Sequence, residues 1–145
     1  MESQLDNSLK LLLNSKLETL EKHLNADVLV YSGPIGNLDE NLFLKIVEEL
    51  SSDFHRHDIL CIILTTTGGS AIAVERYVNI IRYHYSEVHF IVPDYAYSAG
   101  AIFCMSGDKI FMDYFSVLGP IDPQVQNKEG KWVAALGYLD KVNEY

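Results

Sequence analysis

Three short apolar runs place the strongest constraint on the fold of this chain. They are DVLVY (residues 27–31), ILCIIL (59–64) and HFIV (89–92), and polar residues, glycine or proline follow each one. All three are far shorter than the roughly 20 residues that span a membrane, and continuous runs of this length are typical of strands buried on both faces. Segments with helical spacing of apolar residues separate them. This spacing predicts two buried helix faces, the first with Leu42, Ile46, Val47 and Leu50 and the second with Ile72, Val74, Val78 and Ile81. The resulting order β-α-β-α-β-α-β predicts an α/β domain with a mostly parallel sheet.

Composition limits the class of protein and its partners. The chain has 145 residues, of which 48% are hydrophobic and 21% charged, as is ordinary for one globular domain. A formal net charge of −9 and the lack of a basic run argue against nucleic acid as a partner. The N-terminus lacks the order of a signal peptide, so we expect a cytoplasmic protein without membrane association. Cys61 and Cys104 lie in apolar runs and predict buried free thiols, as in a reducing compartment.

The N-terminal segment predicts a helix that precedes the first strand. Leu13, Leu17, Leu20 and Leu24 follow a four-three-four spacing and form one apolar stripe. The stripe can pack against the chain's own domain or form a contact between subunits, and the sequence leaves both open. We therefore divide the chain into an N-terminal helix over residues 1–26, with a possible oligomer contact, and a second region that starts at residue 27.

Two loops at the ends of predicted strands carry the candidate chemistry. TTTGGSA (residues 65–71) and DYAYSAGA (94–101) each lead from a buried strand into a helix. In open parallel sheets, functional residues gather at such carboxyl ends of strands. Gly68 and Gly69 either let backbone N–H groups point at one oxyanion or form a tight turn. Ser98 is either the N-cap of the next helix or a nucleophile whose neighbouring N–H assists the oxyanion.

These two loops and their spacing resemble the proteolytic subunit of Clp protease and its relatives. In that family a Pro-Gly-Gly loop supplies the oxyanion hole, and the nucleophilic serine follows the second glycine by the same 29 residues that separate Gly69 from Ser98 here. Thr67 stands at the position of the proline. The resemblance implies Ser98 as nucleophile, the N–H groups of Gly69 and Ala99 as the oxyanion hole, and Gly68 and Ser70 as substrate-binding residues.

A longer run from Ser98 onward resembles one particular branch of these relatives. SAGAIFCMSGDKIFMDYFSVLGPIDPQV, which begins at Ser98, is similar to the pattern of the serine dehydrogenase proteinase, signal-peptide-peptidase-A and NfeD-type serine proteases. These relatives imply a crotonase-like spiral fold, hydrolysis of peptide bonds in peptide or protein substrates, and homo-oligomers in the form of rings. We expect neither a cofactor nor a metal, because no His/Cys/Asp cluster has the spacing of metal ligands. The catalytic domain covers residues 27–145, and we expect the natural chain to continue beyond Tyr145.

The general base is the open part of this prediction. The histidine of a Clp-type triad has no counterpart, because no histidine follows His89. Relatives with a serine–lysine dyad carry their lysine in a Lys-aliphatic-polar-polar-aromatic sequence, and KVNEY, which begins at Lys141, has that form 43 residues after Ser98. A lysine acts as a base only where burial or nearby charge lowers its pKa. Lys141 is the candidate base; the alternatives are a residue missing from this chain and Lys109, Lys128 or Lys131.

Two other functions fit parts of the pattern. An acyl-CoA enzyme of the crotonase class, such as an enoyl-CoA hydratase or isomerase, also uses two backbone N–H groups, for a thioester enolate, and needs glutamates in the cleft. Glu75, in the helix after the glycine pair, is the candidate for that role, although we expect a surface position for it. A non-catalytic relative that binds peptides or assembles is the other interpretation, because the histidine is missing. The Ser-Ala-Gly sequence at Ser98 favours a serine peptidase over both.

Overall fold

The computed structural model describes residues 3–36, 39–122 and 124–134. The helices in these ranges are α1 (Gln4–Leu24), α2 (Glu40–Ser52), α3 (Ala71–His84) and α4 (Ala99–Met105). The strands are β1 (Asp27–Ser32), β2 (Ile59–Thr65), β3 (Glu87–Val92), β4 (Tyr95–Ala96), β5 (Lys109–Met112), β6 (Val117–Leu118), β7 (Gln124–Gln126) and β8 (Trp132–Ala134).

Four of the strands form one parallel sheet in the order β1-β2-β3-β5. Val28 lies opposite Cys61, Cys61 opposite His89, and His89 opposite Lys109. A helix joins each successive pair of these strands, as parallel neighbours require. The predicted α/β class with a mostly parallel sheet is confirmed. Two short pairs stand beside this sheet: β4 runs parallel to β6, and β7 and β8 form an antiparallel hairpin.

One face of the main sheet packs against α2, α3 and α4 to form the larger core. Leu60, Ile62 and Leu64 alternate along β2 toward this core and have no exposed surface. Phe43 of α2 stacks on Tyr77 of α3, with ring centroids 4.0 Å apart. Each fully buried side chain of this size contributes about 1.5–3 kcal/mol to stability. This layer holds the helices against the strands and so positions the loops that join them.

Two apolar side chains that the helical spacing assigns to the core lie outside it. Leu42 of α2 is 58% exposed, and Ile72 of α3 is 65% exposed. Successive residues of a helix are turned by about 100°, so a face centred on Phe43 or on Tyr77 leaves these positions in solvent. In both helices an aromatic residue lies at the centre of the buried face, so the spacing of the aliphatic residues alone does not locate that face.

The opposite face of the sheet is covered in part by α1. Leu17, Leu20 and Leu24 pack against a small cluster that includes Val28 and Cys61. Three of the four leucines of the stripe therefore pack within the domain. Leu13, the first of them, is 60% exposed, and the leucines before it in α1 are also about half exposed or more: Leu5 (68%), Leu9 (49%), Leu11 (71%) and Leu12 (56%). For this N-terminal half of α1, the contact between subunits stays a prediction. No helix in the described ranges has both the length and the apolar character to cross a bilayer.

We expect Leu20→Ala to lower the free energy of unfolding by about 1–2 kcal/mol, since Leu20 is half-buried against the sheet. Leu12→Ala is the matched control on the same helix and should change it by less than about 0.5 kcal/mol, because Leu12 is 56% exposed. Urea denaturation at low protein concentration measures both. Equal effects of the two substitutions would contradict the packing of α1 on its own sheet.

Both cysteines are buried and unpaired, as predicted. Burial raises the pKa of Cys61 to about 11 and that of Cys104 to about 12. The thiolate is the nucleophilic form of cysteine, so neither thiol is reactive near neutral pH. The structure therefore gives no support to either cysteine as a nucleophile.

Candidate active site

The two predicted loops meet directly beyond the carboxyl end of β2. Thr66, the first residue after β2, donates its backbone N–H to the carbonyl of Tyr95 at 3.1 Å. Its own carbonyl accepts the N–H of Tyr97 at 3.0 Å. These two bonds make a parallel bridge between Thr66 and Ala96. The glycine loop and the serine loop, which are about 30 residues apart in sequence, are thus hydrogen-bonded to each other.

Glycine allows this close approach at two positions. A Cβ added to Gly68 would lie 2.7 Å from the Tyr97 carbonyl oxygen and 2.9 Å from the Ser98 Cβ. A Cβ added to Gly100 would overlap the methyl group of Thr66. Real Cβ atoms do not approach other atoms so closely, so any larger residue would push the two loops apart.

The direction of the Gly69 N–H follows from its hydrogen-bonded neighbours. The Gly68 carbonyl accepts the N–H of Ile35 at 2.8 Å, and Ser70 donates its N–H to the Ile35 carbonyl at 2.9 Å. In a planar trans peptide the C=O and the N–H point in opposite directions. The Gly69 N–H, which shares its peptide with the Gly68 carbonyl, therefore points away from Ile35. By the same argument the Gly69 carbonyl also points away from Ile35.

Ser98 has a backbone conformation that is rare for a residue with a side chain. Its φ is 51° and its ψ is −122°, and it occupies the N-cap position of α4. The Ser98 N–H donates to the Pro120 carbonyl at 3.0 Å, and its carbonyl accepts from Ala101 and Ile102. Its hydroxyl makes no capping hydrogen bond. Of the two interpretations, Ser98 is at the cap position but its side chain does not act as a cap, and strained residues of this kind concentrate at functional sites.

The N–H of Ala99 points out of the start of α4. The Ser98 carbonyl, on the same peptide, turns into the helix to accept from Ala101 and Ile102 at 3.0 and 3.2 Å. The Ala99 N–H must then point the other way, and first-turn N–H groups have no acceptor within their own helix. Within the part of the chain that the structure describes, Ser98 is thus followed at once by a backbone donor without an acceptor, which is the arrangement at a nucleophile on a strand-to-helix turn.

A cleft of about 480 Å³ opens where these groups meet. Its lining consists of small or apolar residues: Thr67, Gly69, Ala71, Ser98, Ala99, Ile102 and Trp132. Sequence reasoning missed Ile102 and Trp132. Ile102 lies one turn after Ser98 on α4, so helical spacing could have found it. Trp132 reaches the cleft from the β7–β8 hairpin, and no local pattern connects it to the two loops.

The predicted site residues divide into three groups. Gly69, Ser98 and Ala99 lie together on the cleft. Gly68 packs beneath Ser98, and the Ser70 hydroxyl accepts the Ala73 N–H at 3.1 Å as the N-cap of α3. Lys141 lies outside the described residues.

The described lining of the cleft contains no ionisable side chain. Among the other candidate bases, Lys109 pairs with Glu87 at 3.5 Å, and Lys131 pairs with Glu129 at 3.7 Å. The His89 ring contacts Glu87 at 2.5 Å, away from the cleft. Glu75, which the acyl-CoA interpretation needs inside the cleft, is exposed on α3 and does not line it.

A larger cavity, of about 560 Å³, lies at the opposite end of the sheet. Its most buried member, Asp27, accepts hydrogen bonds from the His57 ring at 2.9 Å and from the Tyr85 hydroxyl at 2.7 Å. Burial and the hydrogen bond to Asp27 raise the pKa of Tyr85, so Tyr85 remains a neutral donor to this carboxylate. These bonds join β1, the α2–β2 loop and the end of α3. We therefore assign Asp27, His57 and Tyr85 to structure, and the smaller cleft at Ser98 remains the candidate site.

The described residues hold no group of three or more His, Cys, Asp or Glu placed to bind a metal ion.

One family of known proteins matches a range that contains both loops. Residues 44–139 match the profile of a family described as ClpP-like SDH-type serine proteinases. Two uncharacterized proteins of Methanocaldococcus jannaschii are 41% and 38% identical to this chain over 64 residues. Each match covers 44% of this chain but only 22% of the relative. The chain thus spans a minor part of the length of these relatives.

Solved structures share the fold at low sequence identity. A membrane-bound stomatin-specific protease, solved as a lysine-to-alanine mutant with a substrate peptide, has a TM-score of 0.62 at 22% identity, over 80% of this chain and 54% of that one. A serine-to-alanine mutant of this protease gives a TM-score of 0.62 at 21% identity, over 80% and 57% of the two chains. The ClpP catalytic domain of Plasmodium falciparum has a TM-score of 0.53 at 15% identity, over 76% of this chain and 62% of that domain.

Proposed function

Because the chain belongs to the ClpP-like SDH-type serine proteinases, we propose that it is a serine peptidase with Ser98 as its nucleophile. The N–H groups of Gly69 and Ala99 form the oxyanion hole, and Lys141 is the general base. The family supports the serine peptidase as a class, and the geometry of the cleft supports the individual roles.

One observation carries the assignment of Ser98. Its hydroxyl does not cap α4, and Ser98 lies on the same cleft as Gly69 and Ala99. The directions of the Gly69 and Ala99 N–H groups follow from the hydrogen bonds of the carbonyls on the same peptides. During acyl transfer the carbonyl oxygen of the substrate becomes negative, and backbone N–H groups next to the nucleophile stabilise it. The positive φ of Ser98 suits this role, because an ordinary helix start would leave the hydroxyl free to cap the first turn.

The reaction follows from this arrangement. The Ser98 oxygen attacks the carbonyl carbon of the scissile peptide, and the general base takes the hydroxyl proton. The carbonyl oxygen becomes an oxyanion and accepts hydrogen bonds from Gly69 and Ala99. Collapse of this intermediate expels the amine, which takes the proton back from the base, and leaves an acyl-serine. Water then attacks the acyl group and releases Ser98.

The Gly69 carbonyl supports an extended substrate. It points away from Ile35, as the Gly69 N–H does, so one residue presents both a donor and an acceptor toward the cleft. An extended peptide that lies along this loop can pair with it as an added strand. Main-chain pairing of this kind positions a substrate without requiring a particular side chain.

A fluorophosphonate reagent tests the proposed function directly, because it phosphonylates activated serines. We expect one adduct per chain by intact mass and its location on the peptide that contains Ser98. The other serines, including the capping residue Ser70, serve as internal controls in the same peptide map. Absence of any adduct on the folded protein would contradict the peptidase and leave the non-catalytic relative.

The serine–lysine dyad predicts that Lys141→Ala lowers kcat by a factor of about 10²–10⁴ while KM changes little, since general-base catalysis contributes that much. The structures of the stomatin-specific protease, solved as a lysine and as a serine mutant, support the choice of a lysine. Lys109→Ala and Lys131→Ala are the matched controls, because both lysines are paired with glutamates and neither lines the cleft. Hydrolysis of a fluorogenic peptide measures all three. Full activity of Lys141→Ala would exclude Lys141 as the general base and leave Lys128 or a residue missing from this chain.

A further inference from the structure

Thr66 is the buried residue through which the two loops of the cleft are joined. It is 1% exposed and lies between them, directly after β2. Each part of it has a different partner. Its backbone binds the serine loop at Tyr95 and Tyr97, its hydroxyl accepts the Gly68 N–H at 3.0 Å, and its methyl group packs against Gly100. The cleft itself does not include its side chain.

We propose that Thr66 is a positioning residue that sets both donors of the oxyanion hole at once. The inference rests on the proposed function, since it concerns how the Gly69 and Ala99 N–H groups are held. Thr66 touches neither the substrate nor the reacting atoms. It acts through its hydroxyl on the glycine loop and through its methyl group and backbone on the serine loop.

The hydroxyl acts on the Gly69 side. The bond from the Gly68 N–H to the Thr66 oxygen closes a turn of two residues, of the kind that Ser and Thr side chains form with the backbone. Gly68 and Gly69 have φ values of 98° and 144°, and glycines have many other conformations available to them. The hydroxyl restrains the Thr67–Gly68 peptide through its N–H, and the bond from Ile35 restrains the next peptide, Gly68–Gly69, through its carbonyl. Together they orient the Gly69 N–H.

The methyl group and the backbone act on the Ala99 side. The Thr66 carbonyl holds the Tyr97 N–H at 3.0 Å, and the Tyr97 carbonyl accepts the Gly100 N–H at 2.9 Å. The Thr66 methyl group contacts Gly100 where no Cβ could fit. Thr66 therefore positions the start of α4, and with it the Ala99 N–H, as well as the glycine loop.

Thr66→Val separates the hydroxyl from the methyl group, because valine keeps the volume and loses the oxygen. We expect kcat to fall about 10- to 100-fold with KM changed less than threefold, since a small misplacement of catalytic groups costs that much. A peptide aldehyde, whose adduct with serine carries the oxyanion, should bind more weakly by the same factor as the loss in kcat/KM. Binding of the uncleaved peptide, measured in a Ser98→Ala background, should stay the same.

Thr66→Ser is the conservative variant and keeps the oxygen without the methyl group. Its kcat should stay within about threefold of the wild-type value, because the restraint on Gly68 remains. Thr65→Val is the matched control, as the preceding threonine of the same run lies in β2 and does not line the cleft. Its kcat should equal that of the wild type.

The outcomes separate this inference from the proposed function. If the fluorophosphonate labels the wild type and Thr66→Val keeps full kcat and full aldehyde affinity, Thr66 is structural only and the inference is wrong. If the wild type is not labelled, the proposed function itself fails. Where Thr66→Val does not fold, comparison of Thr66→Ala with Thr66→Ser isolates the same oxygen, and equal kcat values in that pair would overturn the inference.

Discussion

Replacement of Ser98 with alanine is expected to lower kcat/KM by a factor of about 10³ or more and to abolish labelling by fluorophosphonate, because the covalent step has no other nucleophile. The free energy of unfolding should change by less than about 0.5 kcal/mol. The hydroxyl makes no capping bond, so its loss leaves no helix group unsatisfied. Peptide hydrolysis and urea denaturation of the same preparation measure both quantities.

Ser98→Gly is the informative companion variant. It removes the same hydroxyl but also relieves the φ of 51° that a side chain tolerates poorly. We expect it to be as inactive as Ser98→Ala and more stable than it by about 1 kcal/mol. A loss of stability in Ser98→Ala of the size of a lost helix cap, about 1 kcal/mol, would show that the hydroxyl does cap α4. Residual hydrolysis near the wild-type rate would remove Ser98 from the mechanism.

Gly69→Ala is expected to have the second largest effect, on stability and on activity together. A Cβ at this position would overlap the carbonyl of Ile35, and the φ of 144° is one that residues with side chains rarely adopt. We expect a loss of roughly 3 kcal/mol or more in the free energy of unfolding, from backbone strain and overpacking combined. Displacement of the Gly69 N–H should also lower kcat by about 10²–10³ in the protein that remains folded.

Two other glycines separate the causes of this effect. Gly33 also has a positive φ, 134°, but an added Cβ would meet nothing within 4 Å. Gly33→Ala should therefore lose only the roughly 1–2 kcal/mol of backbone strain and keep its kcat. Gly36→Ala, where the added Cβ makes an ordinary contact with Asp39 at 3.6 Å, should be close to neutral. If Gly69→Ala were no more destabilising than Gly33→Ala, the close approach of Ile35 to the glycine loop would be wrong.

The fold was largely predictable because its signals are local. Continuous apolar runs and helical spacing identified β1, β2, β3 and the helices between them, and each depends only on neighbours along the chain. The errors at Leu42 and Ile72 have one cause. Both lie at the edge of an apolar helix face, and an edge position is buried only where the elements packed on that face extend far enough to cover it. The sequence of the helix does not contain this information.

The candidate site was predictable only in part. The glycine pair and Ser98 were found because each follows a buried strand, and the parallel sheet brings such loops to one edge. Trp132 could not be found in this way, since its hairpin reaches the cleft from the far end of the chain. The role of Thr66 was equally hidden, because three consecutive threonines look alike until the structure shows which one is buried.

The sequence alone was enough to predict the α/β class, the buried free cysteines and the two loops of the candidate site. It could not decide between a cap and a nucleophile, because both need a serine at the start of a helix. The tertiary structure excludes the first role for the hydroxyl, because Ser98 has a positive φ and makes no capping bond, and the nucleophile stays a proposal. The sequence around Ser98 does not predict this conformation, because contacts with other segments impose it. The Pro120 carbonyl and the packing of Gly68 hold it, and no local pattern around Ser98 contains those contacts.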